Sequence, residues 1–346
     1  MRSTPPAAII RPLRKADLAE ADRVFRVAFG TQFGLADPTQ FRGDAELIRP
    51  RWATDPRPCF AAEIGGRIVG SVVGMDWGSA FVVGPLSVEP AHANRGIGRR
   101  LMAAIMAFAD ARRFPLTALY TLPNSAKHLH LYESYGFHAR YLTPVMAKVV
   151  NSPVVAPAPH PSLSPQVERG LLGVGEAGAE PYTKLGEGIS AYSRLDPIRR
   201  TTASAACRAV AEAVFPGLDL GREIAALAAQ SLGETVLLER GGSIVGFALC
   251  HFGKGSEAGS GTLYVKFACV RPNAAEDFAA LLDACETLAA VRGIWRVVAG
   301  TNMAREAAYR IMRERGYRAE SVGVSMLRPA EPGWNRPDVF ALDDWR

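Results

Sequence analysis

The chain has 346 residues, of which 48% are hydrophobic and 21% are charged, a composition typical of globular proteins and not of disordered or fibrous ones. This length is sufficient for two domains, each with its own core. No run of 18 apolar residues occurs, and the apolar stretch near the N-terminus is too short for a signal peptide, so we expect no membrane-spanning helix and no membrane partner.

The charges and cysteines exclude further classes. The net charge is +6, but the 40 basic residues are spread along the chain instead of forming one block, which argues against a nucleic-acid partner. The chain has five cysteines, an odd number, and no CxxC pair, so we expect neither a disulfide framework nor a metal site. We expect instead a reducing, cytoplasmic location. The cysteines are Cys59, Cys207, Cys250, Cys269 and Cys285.

The first 150 residues alternate strand and helix patterns. Residues 59–64 and 68–75 predict two strands joined by a hairpin turn at Gly65 and Gly66. Apolar residues at helical spacing predict amphipathic helices. The predicted strands are 9–13, 59–64, 68–75, 81–88, 116–122 and 139–149, and the predicted helices are 17–29, 96–113 and 125–135.

The second half of the chain repeats the first. EIGGRIVG, which starts at Glu63, recurs as ERGGSIVG from Glu239, and LYESYGF from Leu131 recurs as IMRERGY from Ile311. A third match, SVEP to CVRP, lies between them in the same order. Residues 151–184, rich in Pro and Gly, predict a linker between two copies of one α/β domain.

One stretch of the first half carries chemistry. A predicted strand ends at Leu86, Ser87 and Val88, a short loop follows, and Gly96-Ile97-Gly98 opens an amphipathic helix. The glycines let a ligand approach the backbone, and the start of a helix offers unpaired N–H groups and partial positive charge. With Arg95 and Arg99, this stretch predicts a phosphate or pyrophosphate site; a glycine-rich turn before an ordinary helix is the alternative.

This segment resembles the acyl-CoA-binding motif of the GNAT N-acetyltransferases, Arg/Gln-x-x-Gly-x-Gly/Ala after a strand that ends in Val-x-Pro. The motif reads from Ala93 to Gly98, with Ala93 in place of the usual Arg or Gln. A second block, from Asn124 to Phe137, is similar to the family's Asn-x-x-Ala-x-x-x-x-Tyr-x-x-x-Gly-Phe pattern. The resemblance implies that acetyl-CoA, a co-substrate, contacts Leu86, Ser87, Val88, Asn94, Arg95, Gly96, Ile97, Gly98, Arg99 and Asn124.

The resemblance also implies an α/β (α+β) fold of two tandem GNAT-type domains, each a twisted mixed β-sheet flanked by helices. The expected organisation is a catalytic domain at 7–150, a linker at 151–184, a degenerate copy at 185–330 and a C-terminal tail at 331–346. The second copy has no glycine and no basic residue at 273–278, where Glu276 and Asp277 would repel phosphate. At the position that matches Tyr132 stands Met312, which has no proton to donate.

Tyr132 resembles the family's general acid, which would protonate the leaving thiolate; packing of this tyrosine on the sheet is the alternative. Asp76 and Glu89 each follow or end a predicted strand and are candidates for the general base, although each could equally be a solvated loop carboxylate. A backbone N–H near Leu86 to Val88 is the expected oxyanion donor. The implied function is transfer of an acetyl group to a small-molecule or peptide amine, and the alternative is a non-catalytic acyl-CoA-binding regulator.

Overall fold

The computed structural model describes residues 7–150 and 185–346, so the predicted linker lies outside the described residues. The first half contains, in chain order, β1 (Ile9–Pro12), α1 (Leu18–Gln32), α2 (Ile48–Thr54), β2 (Cys59–Ile64), β3 (Arg67–Trp77), β4 (Ala80–Val88), α3 (Ile97–Arg112), β5 (Leu116–Thr121), α4 (Ala126–Glu133) and β6 (His138–Val149). The predicted strands and helices are all present, whereas the short helix α2 was not predicted.

The second half repeats this order in its described part. It contains β7 (Ile189–Ala191), α5 (Pro197–Val214), α6 (Gly221–Gln230), β8 (Gly233–Arg240), β9 (Ser243–Gly253), β10 (Gly259–Val270), α7 (Ala275–Val291), β11 (Arg296–Gly300), α8 (Glu306–Glu314), β12 (Arg318–Arg328) and β13 (Ala341–Leu342). None of the helices in the described ranges is both long enough and apolar enough to cross a membrane.

The repeated glycine pairs form equivalent hairpin turns. Gly65 and Gly66 join β2 to β3 with φ of 56° and 80°, and Gly241 and Gly242 join β8 to β9 with φ of 56° and 75°. Two successive residues with positive φ define the tight turn whose twist matches that of paired strands, and glycine adopts it without a steric penalty. The hairpin prediction is confirmed, and its repetition supports the duplication.

The strands of both halves join in one mixed sheet. Its order is β1-β2-β3-β4-β5-β12-β6-β11-β10-β9-β8-β7, and β13 pairs with β10 outside this path. Strand β12 of the second half lies between β5 and β6, and β6 of the first half lies between β12 and β11. The two halves therefore exchange their equivalent strands, and the predicted mixed sheets are continuous with each other instead of separate.

Helices cover the sheet and bury most of its apolar side chains. Helix α3 packs on β3 and β4 through Leu101 and Ile105, both fully buried. Helices α5 and α6 bring the second half against Trp77, which is 1% exposed, contacts Phe267 edge-on and donates its indole N–H to Glu223 at 3.1 Å. The junction between the halves is therefore part of the core.

Candidate active site

The first half contains a split between two central strands. Strand β4 pairs with β5 in parallel only from Ala80 to Val83. Beyond Gly84 it stays paired with β3, where Ser87 lies opposite Ser71, but no strand of the described part of the chain pairs with it on its β5 side. A strand without a partner on one side leaves every second backbone N–H and C=O group available there. This edge can pair with an extended ligand.

The start of α3 lies beside the open end of this split. Asn94 and Gly96 have φ of 60° and 74°, and Gly96 directly precedes the first helical residue, Ile97. Because the first N–H groups of a helix have no intrahelical acceptor, those of Ile97, Gly98 and Arg99 are available for an anion. A Cβ atom on Gly96 would meet nothing within 4 Å, so the space in front of the loop is open.

The split and the α3 start line one cavity with a volume of about 1260 Å³. The structure brings most of the predicted cofactor residues to this cavity, with Tyr132. The ones that line it are Leu86, Ser87, Val88, Asn94, Gly96, Ile97, Gly98 and Arg99. Arg95 and Asn124 are exposed and are not among the lining residues. The predicted phosphate loop and the predicted tyrosine therefore face the same space.

Tyr132 lies on α4, and its ring contacts Phe137 edge-on at 6.4 Å between centroids. Within the described ranges its hydroxyl makes no hydrogen bond, so that the hydroxyl is available to a ligand in the cavity. Burial raises the pKa of Tyr132 to about 12. The phenol is therefore protonated at neutral pH and can act as a donor.

The two predicted base candidates do not line the cavity. Asp76, at the end of β3, pairs with Arg112 at 3.2 Å and with Arg222 of the second half at 3.3 Å. Glu89 accepts from Arg23 at 2.8 Å and lies 3.1 Å from the His92 ring. His92 does line the cavity, with Glu89 behind it. In this arrangement Asp76 joins the two halves and Glu89 orients an imidazole.

The second half supplies one wall of the cavity, which sequence reasoning did not find. Arg51 of α2 donates to the Gly84 carbonyl at 2.8 Å, where the split begins, and to Glu257 at 2.5 Å. Glu257 also accepts from Lys266 at 2.7 Å, and these cations hold the pKa of its carboxyl well below its usual range. Tyr264, Trp345 and Arg346 line the same wall. No local pattern marks Glu257 as part of the cavity wall, because its partner Arg51 is 206 positions away.

Comparisons with known proteins agree with this geometry. Residues 55–139, which include β4, the phosphate loop and Tyr132, match the family described as "Acetyltransferase (GNAT) domain". The part of the chain that contains the candidate site is therefore similar to GNAT acetyltransferase domains. A segment of 98 residues is 34% identical to the uncharacterized N-acetyltransferase MJ1530 of Methanocaldococcus jannaschii, and this match spans 28% of the chain and 56% of that relative.

Two solved structures share the GNAT fold over nearly the whole chain. A candidate acetyltransferase from Pyrococcus horikoshii is 14% identical with a TM-score of 0.64, covering 98% of this chain and 95% of its own. A GCN5-related N-acetyltransferase from Sphaerobacter thermophilus is 18% identical with a TM-score of 0.58, covering 95% and 98%. At these identities the likeness concerns the fold, which extends across both halves.

The second half has a corresponding split, but the chain itself fills it. Strand β10 pairs with β11 only from Thr262 to Val265, and beyond this β13 pairs with β10. The Val270 N–H donates to the Phe340 carbonyl at 3.2 Å, and the Asn273 N–H donates to the Asp338 carbonyl at 2.9 Å. Residues 338–342 therefore occupy both the strand edge and the loop that would correspond to a cofactor site.

This segment is buried and firmly bonded, although the sequence suggested a tail. Phe340 packs on Phe278 at 5.6 Å, and Asp343 is paired with Arg305 at 2.7 Å. Asp344 accepts from the Tyr264 hydroxyl at 2.8 Å.

Among the residues that the structure describes, no group of three or more His, Cys, Asp or Glu side chains could hold a metal ion.

Proposed function

We propose that the first half binds acetyl-CoA and transfers its acetyl group to an amine. The observation that carries this proposal is the open split of β4 and β5, which ends at the glycine loop and the start of α3. The backbone edge from Leu86 to Val88 can pair with an extended amide-containing chain, and the α3 start can bind phosphates. These two features lie in the order that a pantetheine arm followed by a pyrophosphate requires.

The residues present fit such a ligand. The N–H groups of Ile97, Gly98 and Arg99 and the positive end of α3 would hold the pyrophosphate, with the Arg99 guanidinium as an added charge. Gly98 also lines the cavity, and a Cβ there would make only ordinary contacts at 3.7–4.0 Å. When bound, acetyl-CoA would supply the activated thioester.

Tyr132 would donate a hydrogen bond to the leaving sulfur. Its pKa of about 12 lies about 3.5 units above that of a free thiol, so complete proton transfer would be uphill by about 4.8 kcal/mol. Donating a hydrogen bond costs much less and stabilises the negative charge that develops on sulfur in the transition state. A backbone N–H of the unpaired β4 edge would donate to the thioester oxygen in the same way.

The acceptor amine would lose its proton to water. In the described ranges, the side-chain carboxylates that line the cavity are those of Asp44, Glu257 and Glu320. Each already binds a protein group, namely Ser260, Arg51 with Lys266, and Arg296. Because these carboxylates are engaged, the free-base form of the amine would be the reactant. We therefore expect kcat/KM to rise with pH up to the pKa of the acceptor amine.

The runner-up function is an acyl-CoA-binding regulator without catalysis. A screen of amines with acetyl-CoA, in which release of the CoA thiol is measured, separates the two. Time-dependent thiol release that requires an amine supports the enzyme, and binding of acetyl-CoA without thiol release in the presence of any amine contradicts it.

The five buried cysteines, none of them in a disulfide, agree with the reducing cytoplasm that we propose as the location of the protein.

A further inference from the structure

Arg42 is a cavity-lining arginine whose guanidinium has no hydrogen-bond or ion-pair partner among residues 7–150 and 185–346. It lies between α1 and α2, lines the cavity, and has a φ of 64°, a conformation that non-glycine residues rarely adopt. Across the described ranges its side chain forms no hydrogen bond and no ion pair; its one ring contact is with Phe41 at 6.0 Å. The Arg42 guanidinium is therefore available to a ligand in the cavity.

The carboxylates around Arg42 have other partners among the described residues. Asp44 is bonded to Ser260, Glu257 to Arg51 and Lys266, and Asp344 to Tyr264 and Arg346. Burial and the nearby charge of Arg346 lower the pKa of Arg42 to about 10, and Arg51 contributes in the same direction. Arg42 is still a cation at neutral pH, and an anion of one charge would balance it.

The position of Arg42 corresponds to the acceptor end of the cavity. Arg51, whose charge acts on Arg42, binds the Gly84 carbonyl where the split begins. The phosphate loop lies at the opposite end of the split, after Val88. Arg42 is therefore placed near the thioester end and not among the groups that would hold phosphates.

An apolar wall stands next to this cation. The rings of Phe29 and Phe33 stack on Phe41 with centroid distances of 5.8 Å and 5.5 Å and interplanar angles of 16° and 8°. All three line the cavity, and Phe33 is 51% exposed. An apolar group of a ligand that covers this surface would gain binding free energy from the burial of apolar area.

We propose that Arg42 binds a carboxylate of the acceptor, so that the acceptor is an amine of the amino-acid class with an apolar side chain. This inference rests on the proposed acetyltransferase function. The guanidinium matches a carboxylate with two parallel hydrogen bonds, and the phenylalanine wall receives the side chain. One unpaired cation suits the single charge of a carboxylate better than the double charge of a phosphate monoester.

The test compares acceptors that differ in the anionic group, and kcat/KM is referred to the free-base fraction of each amine because this group also changes the amine pKa. Initial rates with acetyl-CoA are measured for phenylalanine, phenylalanine amide, phenethylamine and the phosphonate analogue of phenylalanine. We expect kcat/KM for phenylalanine to exceed that for its amide and for phenethylamine by about ten- to a hundredfold, as for hydrogen bonds to a charged group. In Arg42→Gln this preference falls to near unity, mainly through KM, whereas Arg49→Gln, at an exposed arginine outside the cavity, keeps it.

A binding measurement makes the result independent of turnover. Calorimetry with N-acetylphenylalanine and CoA tests product binding, which we expect in the wild type and not in Arg42→Gln. Equal or better use of phenethylamine, or preference for the phosphonate, overturns the carboxylate assignment while leaving acetyl transfer intact. Absence of turnover with every amine, despite acetyl-CoA binding, contradicts the proposed function instead; retained product binding in Arg42→Gln overturns the role of Arg42.

Discussion

The effect of a carboxylate at Gly98 on acetyl-CoA affinity can be derived from the geometry of the phosphate loop. Gly98 is in the first turn of α3, and the nearest atoms to a Cβ there are on Leu86, Val88 and Leu131, at 3.7–4.0 Å. In Gly98→Glu the carboxylate cannot stay against these apolar groups and turns toward the helix start. At about 5 Å from a phosphate charge, the repulsion is about 1 kcal/mol at the dielectric of water and about 3 kcal/mol at an effective dielectric of 20. The dissociation constant should rise about 5- to 150-fold.

The matched control is Gly98→Ala. The added methyl group meets only ordinary contact distances, and alanine in a helix is more stable than glycine by up to about 1 kcal/mol. We expect an unchanged affinity and an equal or higher Tm. Gly98→Glu should also remain folded, because a carboxylate in the first turn of a helix stabilises it by about 0.3–1 kcal/mol. Isothermal calorimetry and thermal unfolding check both variants, and an unchanged affinity in folded Gly98→Glu would refute the phosphate site.

Three further predictions concern the predicted catalytic side chains. Tyr132→Phe should lower kcat about tenfold or more with acetyl-CoA affinity nearly unchanged, because the lost hydrogen bond forms to the developing thiolate; an equal loss of affinity would indicate a binding role. Since burial raises the pKa of Tyr132 to about 12, the phenol stays protonated, and kcat should not fall between about pH 8 and about pH 10, where an ordinary tyrosine begins to ionise. Asp76→Asn and Glu89→Gln should keep kcat within about threefold and lower the free energy of unfolding by about 1–3 kcal/mol, because arginines lose their partners; lost turnover at an unchanged Tm would assign a catalytic role.

Local patterns in the sequence predict much of the first half of the fold. The glycine pairs specify hairpins through positive φ. Gly96 marks the start of α3 because glycine readily adopts the φ of 74° that the backbone has there. The short helix α2 contains Pro50 and has seven residues, so that it shows too few apolar repeats for recognition. Helices and strands can therefore be predicted from the sequence where a local pattern encodes a turn or a helical period.

Partner choice between distant segments is not encoded in this way. Strands β6 and β12 are equivalent in the repeat, and each could pair within its own half or with the other half. Residues 331–346 contain Trp334, Phe340 and Trp345, but their length and position suggested a tail until β13 was found on β10. The cavity wall that the second half supplies was not predicted for the same reason, because Arg51 contacts Glu257 across 206 positions.

The stoichiometry of acetyl-CoA binding tests the central claim most directly. One split is open and ends at a glycine loop, whereas the other is filled by residues 338–342 and ends near Glu276 and Asp277. Calorimetric titration of the full chain should saturate at one acetyl-CoA per chain, with this binding lost or weakened in Gly98→Glu and retained in Gly98→Ala. Saturation at two, or a single site unaffected by Gly98→Glu, would contradict the assignment of the cofactor site to the first half.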